Sequence, residues 1–255
     1  MKIERRQVAQ FQESPGTDIL IWLTPLGRAV KLYVISMRAE SFRALRWQEV
    51  REHCFWMGEK SFHLIAFSAC AISIALTIQC VLELKKYDAE DISGAVISIG
   101  LLRELGPLTV SLAWGARVAC RVAGEAREFL LQNEGGFAET FILPRYLAAL
   151  SMSLPLAAYG LVIGFVTAAL IAPFLGVSST ADFLQSAKEG IHSKDLAIYF
   201  LKLVVVNPTI AIFAACASAK VGQISSAAVP ANAVTAMFIC GYTANLLVTA
   251  IAFLT

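Results

Sequence analysis

Two opposite charges, Arg103 and Glu104, stand side by side in a stretch from 92 to 116 that carries no other charged residue, and Leu105-Gly106-Pro107 follows at once. A helix of that length and composition crosses a bilayer, which takes about 20 apolar residues. Charges at such depth are costly unless protein groups meet them, so they face the inside of a helix assembly and mark a site. The chain is thereby constrained to a membrane fold whose backbone polar groups are satisfied within helices.

Composition points the same way. Hydrophobic residues make up 57% of the chain and charged ones 16%, with a mean hydropathy of +0.66, whereas soluble domains carry about 25% charged residues. The 255 residues accommodate about five or six spans and leave little for a soluble domain. A net charge of +2, with the basic residues clustered near the N-terminus, argues against a nucleic-acid partner. The cysteines at 54, 70, 80, 120, 216 and 240 form no Cys-x-x-Cys pair and read as small buried hydrophobes. His53, Cys54 and His63 lack a fourth ligand for zinc, so neither metal nor cofactor is expected. No short apolar core with a cleavage site opens the chain, and the N-terminal region is expected to stay on the mature protein.

Along the chain, residues 1–17 read as a polar tail. Residues 18–60 form an amphipathic region in which Leu23, Leu26, Val30, Tyr33, Val34, Met37 and Leu45 recur at helical spacing among arginines and lysines. Trp22, Tyr33 and Trp47 beside basic residues favour a helix lying in the membrane interface. Residues 61–255 then read as a five-helix membrane domain, with spans at 61–82, 92–123, 146–172 and 196–220 and a last one within 221–255. A polar segment at 124–143, two short helical pieces parted at Gly135-Gly136, is the longest hydrophilic connection inside it, and 174–195 is a second exposed connection. Gly160-x-x-x-Gly164 admits a close helix neighbour, either inside the chain or across a dimer. The fold class is therefore all-α and membrane-integral: an N-terminal interfacial helix followed by five transmembrane helices. Basic residues flanking the spans place the N-terminus inside and the C-terminus outside.

Motifs for chemistry are missing. Gly58-Glu59-Lys60-Ser61 echoes the end of a phosphate-binding loop but lacks its earlier glycine, and no nucleophile elbow or zinc helix occurs. An enzyme is not expected, and any ATP hydrolysis belongs to another chain. On a helix Arg103 and Glu104 point about 100° apart, so each needs its own partner. Lys202 and Asp195 are the cross-helix candidates: Glu104 is expected to pair with Lys202, and Arg103 with a carboxylate near the outer end or with backbone carbonyls.

The run Arg103-Glu104-Leu105-Gly106-Pro107, then Gly115-x-Arg117, then Glu125, resembles the signature of the MlaE/YrbE family, the permease subunits of MCE-type ABC lipid transporters. Gln79, Tyr87-x-Ala89-Glu90, Pro144-Arg145 and Lys202 extend the resemblance over most of the chain. It implies a homodimer of permeases, two cytoplasmic ATPase subunits, an MCE-domain protein on the outer face, and a membrane lipid, usually phospholipid, held between the permeases. It also implies a bacterial inner membrane, or the plastid inner envelope if the source is a plant or alga. Gly106, Pro107, Arg117 and Glu125 are then signature residues, and Gln79, Leu101, Leu105 and Asn245 are candidates for the lipid cavity.

The chain departs from the family pattern in two places. The segment after Glu125 is short, has Gly135-Gly136 and lacks the family's Asp-Pro, which leaves Glu125, Glu128, Glu134 and Glu139 as candidate contacts to an ATPase. Asn245 stands where an acid is common, which removes one charge partner and favours the pairing of Glu104 with Lys202. Two alternatives to a lipid permease are a scaffold subunit that no longer couples to ATP and an ion-driven carrier. The carrier predicts paired broken helices, which the sequence does not clearly display.

Overall fold

A computed structural model describes residues 27, 29–37, 45–132, 136–219 and 228–254. The tail at 1–17, Trp22, Leu23, Leu26, Glu134, Gly135, Lys220 and the turn near Ser225-Ser226 lie outside the described residues. Every described element is helical, and five helical runs are long and apolar enough to cross a membrane: Trp47–Lys85, Glu90–Gln132, Phe137–Leu175, Ser193–Ala219 and Ala228–Ala252. These are the first to fifth spans, and the protein is an all-α integral membrane protein. Lipid offers no partner to N–H and C=O groups, which is why apolar runs of this length become helices.

The first span contains α1 (Trp47–Gly58) and α2 (Phe62–Lys85), joined through a tight turn at Glu59–Ser61. The third is α5 (Leu143–Leu175), unbroken despite Pro155 and Pro173, and its end is closed by Gly176 at φ 118, a left-handed conformation that favours glycine. These two spans pack closely. Gly160 faces Ile65 and Val110, Gly164 faces Ser73, and Gly58 faces Met152. The Cys70 and Thr167 side chains meet at 3.3 Å and the Phe62 and Tyr159 rings at 5.0 Å. The glycine pair thus serves packing inside the chain, because both glycines already sit against neighbouring spans of the same subunit.

The second span is α3 (Ser93–Gly100) and α4 (Gly106–Gln132), and the fourth is α7 (Ser193–Phe200) and α8 (Asn207–Ala219). The fifth is α9 (Ala228–Leu254). Two connections differ from the sequence reading. The first of the two helical pieces read at 124–143 is not a separate connection but the end of α4, which continues through Glu125 to Gln132. Its apolar residues keep helical spacing there: Val118, Val122 and Ala126 are fully buried while Arg121 and Glu128 face outward. The 174–195 connection is not merely exposed either. It holds α6 (Thr180–Gly190), whose Phe183 and Ala187 are buried against Gly94, while Gly190 meets Ala95. The Ala95 amide donates to Ser186 at 3.2 Å.

Residues 29–36 are helical, and the face they turn to the bundle is Ala29, Leu32 and Ser36. Val30 and Val34, among the apolar residues of the expected interfacial helix, are more than half exposed. That outward apolar surface suits a helix at the bilayer surface. Tyr33 reaches back to set its ring 5.2 Å from Phe213. The cysteines are all free, and Cys120 is exposed instead of buried.

Candidate functional site

Arg103 and Glu104 lie in a π-helical turn, Leu101–Leu105, between α3 and α4, and Lys202 lies in another, Leu201–Val206, between α7 and α8. Each wide turn is closed by a bond to the carbonyl five residues back, from the Gly106 amide to Leu101 and from the Asn207 amide to Lys202. A proline follows each: Pro107 and Pro208. Proline has no N–H for the carbonyl four residues back and its ring crowds that carbonyl, so the helix opens into the wider turn. The sequence does not reveal these as a pair, but the structure sets two broken helices beside one another.

Side chains from other spans serve the carbonyls concerned. The Arg103 carbonyl accepts from Lys202 Nζ at 2.5 Å, and the Val204 carbonyl accepts from Ser153 Oγ of the third span at 3.3 Å. One turn further in, Asn207 donates to the Ser111 hydroxyl, which donates to the Pro107 carbonyl. The second and fourth spans are therefore tied at two successive levels.

The four intramembrane charges fall into two pairs. Arg103 Nε donates to Asp195 Oδ1 at 2.6 Å, and Lys202 Nζ donates to Glu104 Oε1 at 3.2 Å. Thr249 of the fifth span sits between the latter two, accepting from Lys202 at 2.8 Å and donating to Glu104 at 2.7 Å. Asp195 is held by the start of α7, where its Oδ2 accepts from the His192 amide at 3.2 Å. A carboxylate in the first turn of a helix also suits the helix dipole.

Each pair has one sealed and one open member. The side chains of Asp195 and Lys202 are 1% exposed, those of Arg103 and Glu104 43%. The open members border a cavity of about 70 Å³ whose walls also include Lys194, Ile198 and Thr249. A guanidinium and a carboxylate thus stand next to each other at the rim, each neutralised from behind. Such a rim can hold a polar group by charge and hydrogen bonding, with Lys194 adding a further cationic group to the wall.

A second charged cluster lies at the other end of the second span. Glu125 accepts from Arg121 at 2.7 Å and, through its other oxygen, from Arg145 at 3.1 and 2.9 Å. Arg145 also donates to the Phe141 carbonyl at 3.0 Å and covers the Phe141 ring, while Arg121 lies over Trp56. Arg117 donates to Ser61 at 3.1 Å, tying α4 to the first span. Glu125 therefore clasps the second span to the third. Of the other proposed coupling carboxylates, Glu128 is exposed, Glu139 is half-buried and Glu134 lies outside the described residues.

The four proposed cavity residues differ in their surroundings. Gln79 is exposed on the first span, Leu105 is half-buried and Asn245 is buried. Leu101 is packed among Val81, Ile97 and Phe183. Thr249, Ser153, Ser111 and Asn207 were not foreseen as partners. Proline four residues after a residue with a free carbonyl would have signalled a need for donors, but nothing local says which span supplies them.

A helical bundle of five spans with an intramembrane charge network open to a cavity is the build of a membrane permease. The family described as Permease MlaE matches residues 50–126 and 137–252, and the chain belongs to that family. The ten-residue interval between the two matched stretches takes in the end of α4 and residues 133–136. The chain is also similar to a protein of Porphyra purpurea, "Probable ABC transporter permease protein ycf63", at 25% identity over 104 residues. That similarity covers 41% of this chain and 40% of the relative, so it spans less than half of either.

Proposed function

We propose that this protein is the transmembrane subunit of an ABC-type transporter for lipid, phospholipid in particular, with ATP hydrolysis carried by separate cytoplasmic ATPase subunits. The observation that carries this reading is the half-open Arg103 and Glu104 pair, backed by sealed Asp195 and Lys202. A zwitterionic or anionic headgroup meets both donor and acceptor at such a rim, while its acyl chains stay against apolar helix. Two copies pair so that the first, second and fifth spans enclose the lipid, and an MCE-domain protein on the outer face exchanges it. In that organisation 1–17 is a tail, 18–60 the interfacial region and 61–255 the permease domain, with the N-terminus inside. The membrane is the bacterial inner membrane, or the plastid inner envelope in a plant or alga.

Lipid extracted from detergent-purified protein tests the substrate class: stoichiometric bound phospholipid is expected, and a lipid-free preparation that remains folded would sink the reading. Pull-down with an ATPase subunit tests the partner. A second reading, an ion-driven carrier, draws on the paired breaks in the second and fourth spans, since such transporters place their sites at interrupted helices. Transport in vesicles separates the two, because a carrier responds to an imposed ion gradient without ATP.

A further inference from the structure

The geometry points to Ser153, on the third span, as a positioning residue for the charge pair of Lys202 and Glu104, acting through the backbone break that sets Lys202. This goes beyond the proposed transport activity and does not depend on lipid being the cargo. Lys202 opens the π-helical turn Leu201–Val206, so its direction is fixed by how that turn is held. Pro208 cannot supply an amide to the Val204 carbonyl, and the single hydrogen of the Ser153 hydroxyl is shared between that carbonyl at 3.3 Å and the Leu150 carbonyl of its own helix at 2.8 Å. Ser153 is 5% exposed, so no water replaces it there. A buried carbonyl without a donor is costly, and Pro208 bars the turn from tightening to supply one, so without Ser153 the turn shifts to find another donor and carries Lys202 away from Glu104.

The partner break has the same construction. The Arg103 carbonyl, denied its amide by Pro107, is held by Lys202 itself at 2.5 Å. A chain of dependence results: the third span holds the fourth-span break through Ser153, and the fourth-span break holds the second-span break through Lys202. Pro155 and Pro173, inside α5, are carried without a π turn, whereas Pro144 at its start follows one at Phe137–Ile142.

Two comparisons on the full-length protein in detergent test this. The first sets Ser153→Thr against Ser153→Val, which share a shape and differ in the hydroxyl. The Thr variant is expected to keep the unfolding midpoint near that of the parent with the same substitution volume, and the Val variant to fall below it by about 2–4 °C, the shift that one hydrogen bond produces in a chain of this size. Equal midpoints overturn the proposal. The second places Ser153→Ala in a Pro208→Ala background, where residue 208 has an amide to offer Val204. The loss caused by Ser153→Ala is expected to shrink there and to be unchanged in a Pro107→Ala background. Equal losses in all three backgrounds overturn the proposal, because a residue that only fills space is not rescued by a backbone amide. If the proline variants do not fold, the comparison of Thr with Val decides alone.

Discussion

The first and third spans and the second and fourth spans solve the same problem in opposite ways. In lipid, apolar surface gains little by leaving one hydrocarbon environment for another, so helices associate through close packing and polar ties. The first and third rely on closeness: Gly160 and Gly164 let Ile65, Val110 and Ser73 approach, and the glycine-bearing stretches run on as regular helices, α2 after the turn at Glu59–Ser61 and α5 after a π turn of its own at Phe137–Ile142. The second and fourth are each interrupted by a π turn before a proline and are joined by Lys202, Glu104, Asn207 and Ser111. Packing makes a fixed wall. Polar ties at interrupted helices leave a place where the backbone can bend without breaking a regular ladder, and the cavity lies on that side.

The largest effect is expected at the sealed charges. Lys202→Met removes the donor from Glu104, Thr249 and the Arg103 carbonyl together, and a loss of about 3 kcal/mol is expected in thermal or denaturant unfolding. Combined with Glu104→Gln it should be less than additive; strictly additive losses would show that the two residues do not act as a pair. Next comes the packed side. Gly164→Leu forces a side chain into the space held by Ser73 and should cost about 1–3 kcal/mol, the range for overpacking; a neutral outcome would mean that the first and third spans are not as closely seated as the contact to Ser73 implies.

Arg145→Met tests whether the inner clasp belongs with the sealed charges or with surface pairs. Glu125 is 26% exposed and keeps Arg121, so about 1–2 kcal/mol is expected, between an exposed and a buried pair. A loss as large as that of Lys202→Met would move the clasp into the same category as the intramembrane network. Smallest is Glu83→Gln at the far end of the first span. Its bridge to Lys86 is about 60% exposed on both sides and should contribute less than about 0.5 kcal/mol, detectable only as an unchanged midpoint.

Much of this was legible in the sequence because hydropathy along a helix is a local property. The spans around 61–82 and 146–172, and the need of Arg103 and Glu104 for separate partners, follow from residue order alone. The misplaced boundary at 124 has a local explanation too: the charges at Arg121, Glu125 and Glu128 hide a buried row at Val118, Val122 and Ala126 that only a neighbouring helix makes visible. The helix α6 went unread for the same reason, since Phe183 and Ala187 are too sparse to announce a buried face until Gly94 and Gly190 bring α3 against it. On the N-terminal segment the spacing of Val30, Tyr33 and Val34 announces an apolar face, but that Ala29, Leu32 and Ser36 are the residues turned to protein depended on the bundle.

The order of charged and apolar residues by itself determined that this chain crosses a membrane as helices and that its buried charges require protein partners, because solvation by lipid depends only on what each segment is made of. Tertiary structure alone decided who those partners are: Asp195 for Arg103, Lys202 and Thr249 for Glu104, Ser153 for the carbonyl that Pro208 leaves without an amide. Hydrogen bonds and ion pairs act over a few ångströms, and which groups come that close is set by how five helices lie against one another, a property that no single helix carries in its own residues.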